Sequence, residues 1–203
     1  MQVIKYMKAS NFAFCSYLDC RNAIIQTMQR ASIDVEYSQG FHPHELLYFS
    51  PPTALGIESN CEYVTIFTND TNFTEKFNLN APCGLQVLWA KGIDVRPDFY
   101  NLIDYAEYEI FLTTNKAIDL TKFQYEFFDE GEQSNISIEK QIFEINYTNG
   151  VLKCVVECGQ KNNLRISNLI KCLKNSFEVD ILKIKKNALF KYENKLINID
   201  ELI

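Results

Sequence analysis

Both histidines of the chain flank a proline in the stretch GFHPHELLYFSPP, residues 40–52. Side chains two residues apart in an extended segment point to the same side, so His42 and His44 could both face a metal ion. Two ligands are too few for a metal site, and the spacing of acidic residues and cysteines selects no third ligand. Loop histidines more often hydrogen-bond to backbone or to a ligand. The pattern therefore favours a hydrogen-bonding site, and we predict neither a metal nor a cofactor.

The same loop is expected to be rigid. Gly40 permits backbone conformations that other residues resist, and Pro43, Pro51 and Pro52 each restrict φ. A stiff loop that carries Phe41 beside the histidines suits stacking and hydrogen bonding better than simple connection. We therefore expect it to form one wall of a pocket.

An arginine interrupts the apolar face of the helix predicted for residues 16–32. Helical spacing places on this face Leu18, Ile24, Ile25, Met28 and Ala31, with Arg21 in its middle. A guanidinium group cannot be neutralised, so Arg21 must reach the edge of this face or meet a carboxylate. One alternative is an internal ion pair with Glu58 or Glu62. The other is contact with a bound anion, because free backbone N–H groups and the helix dipole favour negative charge at a helix start.

Composition indicates a folded protein, because 47 % of the 203 residues are apolar and only 23 % are charged. The seven cysteines lack the spacing of a disulfide scaffold, and neither a signal peptide nor a membrane span is evident. We therefore expect a cytoplasmic protein without a membrane partner. The net charge of −6 is uneven: residues 104–144 are acidic, and residues 150–195 are rich in lysine. The lysines predict either a local basic surface or a charged edge strand.

The order of the predicted elements is β-α-β-β-α-β, and a looser version follows in the second half of the chain. In the first half, Ser16 and Asp19 form a capping-box pattern before the first helix. In the second half, Asn149-Gly150 predicts a hairpin, and residues 119–128 are expected to form a short helix. The fold class is therefore predicted as α+β, with two ferredoxin-like units of mostly antiparallel sheet and helices on one face. Their expected bounds are residues 1–95 and 105–203.

The run from residue 16 to residue 63 resembles the radical SAM-linked protein family, a bacterial domain of unknown function. The family pattern is Ser-His-Leu-Asp, a nearby Arg, an Arg-Ala pair, Gly-Phe-x-Pro and Pro-Leu-x-x-Gly-x-x-Ser-x-x-Glu. Tyr17 and Pro52 depart from it, where histidine and leucine are usual. The matching residues are Ser16, Leu18, Asp19, Arg21, Arg30, Ala31, Gly40, Phe41, Pro43, Pro51, Gly56, Ser59 and Glu62.

The resemblance implies a domain that occurs alone or fused behind a radical SAM enzyme with a region that resembles a cobalamin-binding domain. The chain lacks the Cys-x-x-x-Cys-x-x-Cys run of such an enzyme, so it is expected to be the partner rather than the enzyme. RNA is the substrate class considered first, because aromatic sheet faces can stack bases. An enzyme with an anionic-ligand pocket on Arg21, His42 and His44, and a structural adaptor or homodimer, are the alternatives. The candidate ligand-binding residues are Ser16, Asp19, Arg21, Gly40, Phe41, His42, Pro43, His44, Glu58, Ser59 and Glu62.

Overall fold

A computed structural model describes all residues, 1–203, and the chain divides into two compact units. Unit 1 consists of Met1–Leu102 together with Asp200–Ile203, and unit 2 of Ile103–Ile199. The predicted α+β class is confirmed, since antiparallel sheet and helices occur in both units. No helix of the chain is long and apolar enough to cross a membrane.

Unit 1 has the predicted element order. Its antiparallel strands lie in the order β4-β1-β3-β2. A short 3-10 helix, Ser10–Phe14, precedes α1, and the four-residue helix α3 follows the sheet. The elements of this unit are β1 (Gln2–Lys8), α1 (Tyr17–Arg30), β2 (Leu47–Phe49), β3 (Glu58–Ile66), α2 (Phe73–Asn80), β4 (Leu85–Gly92) and α3 (Phe99–Leu102).

Both ends of α1 are fixed by hydrogen bonds. At the start, Ser16 and Asp19 form the predicted capping box, in which each side chain accepts a hydrogen bond from the other residue's backbone N–H. At the end, Ser32 adopts a positive φ of 51°, and the Ile33 N–H donates to Met28 O. This closing turn satisfies carbonyl groups that would otherwise lack donors. The helix start is therefore held in place by its own sequence.

The core of unit 1 lies between its sheet and the helices α1 and α2. Ile24, Ile25 and Met28 are buried as the helical spacing predicts. Leu18 is 65 % exposed although the same spacing assigned it to the apolar face. It lies in the first turn of α1, and the buried cluster includes no α1 residue before Cys20.

Unit 2 has the strand order β10-β5-β9-β8, also antiparallel, with β11 paired to β10. The predicted Asn149-Gly150 hairpin is present, because both residues have positive φ, 49° and 82°, as the tight turn requires. Its elements are β5 (Tyr105–Thr113), β6 (Glu126–Asp129), β7 (Ser134–Ser137), β8 (Ile142–Thr148), β9 (Val151–Glu157), α4 (Ile166–Ser176), β10 (Asp180–Tyr192) and β11 (Leu196–Asn198). The chain then ends in α5 (Ile199–Leu202).

The helix predicted for residues 119–128 is wrong. This segment forms a single 3-10 turn, Leu120–Lys122, followed by β6, which pairs with β7 in a separate hairpin. Phe127 is buried and Phe128 is exposed, which is the alternation of a strand rather than the spacing of a helix. The two units therefore do not repeat one element order, and the ferredoxin-like duplication is not established.

The acidic and basic segments of the sequence meet inside unit 2. Strand β10 pairs with β5 so that Lys185 lies opposite Glu109. Glu109 also lies 2.9 Å from Lys153 Nζ, and hydrogen bonding to that lysine keeps the pKa of Glu109 below its ordinary value. Lys191 Nζ likewise lies 3.1 Å from Asp104 Oδ2, where it forms a second ion pair. Ion pairs thus neutralise part of the lysine-rich segment, which reduces the basic surface expected from the sequence.

Candidate functional site

Arg21 meets a carboxylate, which is one of the two alternatives for this residue, but the partner is not one of the predicted glutamates. Arg21 Nη2 lies 3.8 Å from Glu45 Oε2, and their side chains are 28 % and 13 % exposed. Glu58 and Glu62 were the predicted partners. Glu58 instead accepts the backbone N–H of Ser10, and Glu62 is buried among hydroxyl groups. The ion pair therefore ties α1 to the loop rather than to β3.

The loop after α1 projects its predicted residues into solvent. Phe41 is fully exposed, and His42, Pro43 and His44 are exposed as well. Gly40 has a φ of +132°, a conformation that residues with a Cβ rarely adopt. These residues form a surface rather than the wall of an enclosed pocket.

One of the two histidines has a fixed position. His44 Nδ1 lies 2.8 Å from Ser38 Oγ, and the His44 N–H donates to the same hydroxyl oxygen at 3.1 Å. The Ser38 N–H donates to His44 O at 2.8 Å. Three contacts between Ser38 and His44 therefore close the turn that contains Gly40 and Pro43.

A buried carboxylate lies on β3 in unit 1. Glu62 is 3 % exposed and accepts hydrogen bonds from the hydroxyl groups of Thr53 and Ser59 at 2.5 and 2.6 Å. Lys8, also buried, donates to Thr53 O at 3.2 Å. This group of Lys8, Thr53, Ser59 and Glu62, here called the Glu62 cluster, links β1 and β3 to the segment that follows the prolines. The sequence pointed to Ser59 and Glu62 but gave no signal for Lys8 or Thr53.

The Glu62 cluster influences neighbouring titratable groups. Burial raises the pKa of Tyr6 well above its ordinary value, and the negative charge of Glu62 adds to the effect. Burial also raises the pKa of Cys20 to about 11, although Lys8 acts in the opposite direction. Cys20 is therefore a protonated, unreactive thiol at neutral pH. This environment argues for a packing role of that cysteine.

A second polar group ties the end of the chain to the sheet of unit 1. The Tyr63 hydroxyl donates to Asp200 Oδ1 at 2.7 Å, and Asp200 also forms an ion pair with Lys5. Tyr63 packs against Trp89 and Phe99, with ring centroids 6.0 and 5.7 Å away. Burial first, and then the Asp200 contact, raise the pKa of Tyr63, so it stays protonated. Local sequence patterns could not reveal this contact, because its members are far apart in the chain.

Replacing Asp200 tests this attachment. We expect Asp200→Ala to lower the free energy of unfolding by about 2 kcal/mol, less than for a fully buried pair because Asp200 is one-third exposed. Urea denaturation measures the change. Glu201→Ala, at an exposed neighbour, is the control and should change stability by less than about 0.5 kcal/mol. Equal losses in both variants would show that Asp200 has no special role.

Apolar side chains are exposed around the start of α1. Phe14 is 70 %, Tyr17 44 %, Leu18 65 % and Leu55 62 % exposed. The Phe14 ring lies against Gly56, the residue after Leu55, since a Cβ built at Gly56 would be 3.3 Å from that ring. We call these four residues the apolar surface of unit 1. Single exposed apolar residues are ordinary, but a group of four around one helix start is typical of an interaction site.

None of the predicted site residues lines the cavity that lies along α1. A solvent-open cavity with an empty volume of about 340 Å³ lies along α1, and Ile25, Met28, Tyr37 and Glu45 are among its lining residues, whereas Arg21 and the two histidines are not. No group of three or more His, Cys, Asp or Glu side chains has the arrangement to hold a metal ion. The structure instead separates the predicted set into a buried cluster, a helix cap and an exposed loop.

Comparison with known proteins gives a family. A family model described as "Uncharacterized protein conserved in bacteria (DUF2344)" matches residues 2–166, most of the chain. The chain belongs to this family. The DUF2344 match contains every predicted site residue, and its description names no reaction. No curated protein matches the chain.

Proposed function

We propose that this DUF2344 protein is a non-catalytic partner that docks a radical SAM enzyme through the apolar surface of unit 1 and contacts the substrate through the adjacent loop. The observation that carries the proposal is the exposure of Phe14, Tyr17, Leu18 and Leu55. Apolar and aromatic side chains in one patch are the usual centre of a protein interface. The resemblance of residues 16–63 to the radical SAM-linked family supplies the kind of enzyme.

The rigid frame behind this surface supports a docking role. The capping box fixes the first turn of α1, and the Gly56 N–H donates to Ala13 O at 3.0 Å. The Tyr17 ring packs edge-on against Phe49 at 5.5 Å. A surface that is already ordered loses little conformational entropy on binding, which favours affinity.

The exposed loop is assigned to substrate contact. Phe41 offers an aromatic ring that can stack, and His42 offers a ring that can donate or accept a hydrogen bond. The Arg21–Glu45 pair connects this loop to α1, so loop and docking surface are attached to one helix. RNA remains the substrate class considered first, and base stacking on Phe41 is the contact it would use.

The alternative of an enzyme with an anionic-ligand pocket stays a prediction. Such a pocket needs Arg21 and both histidines around one space. Glu45 already faces the Arg21 charge, and Ser38 holds His44. These contacts favour binding over catalysis.

Docking can be tested with purified radical SAM enzyme of the type with a cobalamin-binding-like region. We expect a complex on size-exclusion chromatography under anaerobic conditions, and Leu18→Glu should weaken it at least about tenfold, because a charge at the centre of an apolar interface is costly. Leu79→Glu is the matched control, since Leu79 is also exposed in unit 1 but lies on α2. No complex, or equal weakening by both variants, would refute the proposal.

Binding of RNA is tested by a separate measurement. Short single-stranded RNA should shift in mobility with the complex, and Phe41→Ala should remove the shift without affecting docking of the enzyme. Because phosphate contacts are sensitive to salt, the shift should diminish at higher salt concentration. Docking without any RNA shift would retain the partner role and remove RNA as the substrate.

A further inference from the structure

A cluster of three aromatic rings lies at one end of the unit 2 sheet. Tyr105 at the start of β5 meets Phe143 of β8 at 5.4 Å and Tyr192 of β10 at 6.0 Å, and Phe143 meets Tyr192 at 6.0 Å. All three contacts are edge-on. Phe143 is 49 % exposed and Tyr192 45 % exposed. The cluster therefore presents a preformed aromatic surface to solvent.

The sheet beside these rings is partly exposed on the same face. Along β5, alternate residues such as Ala106 and Ile110 are buried, while Tyr105, Glu107 and Glu109 between them are only half-buried. Residues that are register partners in a sheet point to one side, and Tyr105 pairs with Glu157 of β9. This partly exposed face therefore combines aromatic rings with carboxylates.

Part of this negative charge has no cation beside it. Lys153 forms an ion pair with Glu109, and Lys191 forms one with Asp104. Glu157 accepts a hydrogen bond from the Asn162 amide at 3.3 Å and forms no ion pair. Its charge, with that of Asp104, acts on Tyr105, whose pKa is raised by burial first and by Glu157 next. A positive ligand group placed on the rings would thus meet an attractive field.

We propose that the cluster of Tyr105, Phe143 and Tyr192, with Glu157 beside it, binds a basic peptide segment of a partner protein by stacking an arginine side chain on the rings. Guanidinium groups bind aromatic faces within about 6 Å and pair with carboxylates at the same time. Unit 1 contains this geometry, because the Arg96 guanidinium carbon lies 3.9 Å from the centre of the Tyr48 ring. Nucleic acid fits the same surface less well, since its phosphates would approach the carboxylate of Glu157.

Fluorescence anisotropy of the full chain tests the proposal. The probe is a short labelled peptide with several arginines separated by glycine and serine, and its comparison is the same peptide with glutamine in place of arginine. We expect the arginine peptide to bind and the glutamine peptide not to bind. Phe143→Ala and Tyr192→Ala should each weaken its binding about tenfold, while Tyr192→Phe retains it because the ring is kept. Glu157→Gln should weaken binding about threefold and lower its salt dependence.

Two control variants separate specific binding from attraction to an acidic protein. Phe128→Ala removes a ring that is 56 % exposed on β6, and Glu132→Gln removes an exposed carboxylate before β7. Both variants should bind the arginine peptide as tightly as the unmodified chain does. The proposal would be overturned if the arginine peptide did not bind, or if it bound Phe143→Ala as tightly as the unmodified chain. It would also be overturned if single-stranded RNA bound in place of the peptide and its binding depended on Phe143. Leu18→Glu should leave peptide binding unchanged, so failure here is distinguishable from failure of the docking proposal in unit 1.

Discussion

Glu62→Ala should lower the free energy of unfolding by about 3–5 kcal/mol. The substitution removes the acceptor of the Thr53 and Ser59 hydroxyls, and a buried hydroxyl without a partner costs about 1–3 kcal/mol. It also leaves a small void beside β3, which adds to the loss. Urea denaturation followed by circular dichroism measures the change in the midpoint at constant slope.

Two further variants show whether charge or shape matters at this position. Glu62→Gln keeps the size of the side chain but replaces an acceptor oxygen with a donor group, so we expect a smaller loss of about 1–2 kcal/mol. Glu36→Ala removes an exposed carboxylate in the same unit and should change stability by less than about 0.5 kcal/mol. If Glu62→Ala proves as stable as Glu36→Ala, the Glu62 cluster does not stabilise the fold.

Gly84→Ala is expected to cost about 3 kcal/mol, from a strained left-handed backbone and from overpacking. Gly84 has a φ of +88°, and a Cβ added there would lie 2.3 Å from Ala9 O and 2.9 Å from Phe12 Cβ. The Ala9 N–H also donates to Gly84 O at 2.8 Å. Since Ala9 precedes the 3-10 helix that leads into α1, the substitution should disturb the apolar surface as well as stability.

Gly92→Ala is the matched control for this effect. Gly92 lies at the end of β4, and a Cβ there would meet nothing within 4 Å. We expect its stability to stay within about 1 kcal/mol of the unmodified chain. The proposed docking to a radical SAM enzyme should be weaker for Gly84→Ala than for Gly92→Ala at a temperature where both variants are folded. A stable Gly84→Ala variant with normal binding would show that the turn can shift at little cost.

Local signals in the sequence were most reliable where a short motif fixes its own geometry. The Ser16–Asp19 capping box and the Asn149-Gly150 turn are both present as predicted, because each depends only on residues within a few positions. The helix prediction for residues 119–128 failed because aromatic residues suit both a helix face and a strand. The hairpin partner that decides between these lies further along the chain, in β7.

The candidate site was only partly accessible to sequence reasoning. An ion pair was one of two alternatives for Arg21, and its predicted partners were Glu58 and Glu62. The observed partner, Glu45, depends on how the loop folds back onto α1. The exposure of Leu18 was missed because helical spacing defines a face without saying where the helix extends past the core. Such questions involve long-range geometry that periodicity does not contain.

By itself, the sequence determined the α+β class and the position of the first helix, because propensity, capping and turn chemistry act locally. The tertiary structure decided which charges meet. It paired Lys153 and Lys191 with carboxylates that the linear charge pattern had placed in a different segment. It also brought Asp200 to Tyr63, 137 residues away in the chain. Electrostatic and aromatic surfaces depend on distances in space, and only the folded chain sets those distances.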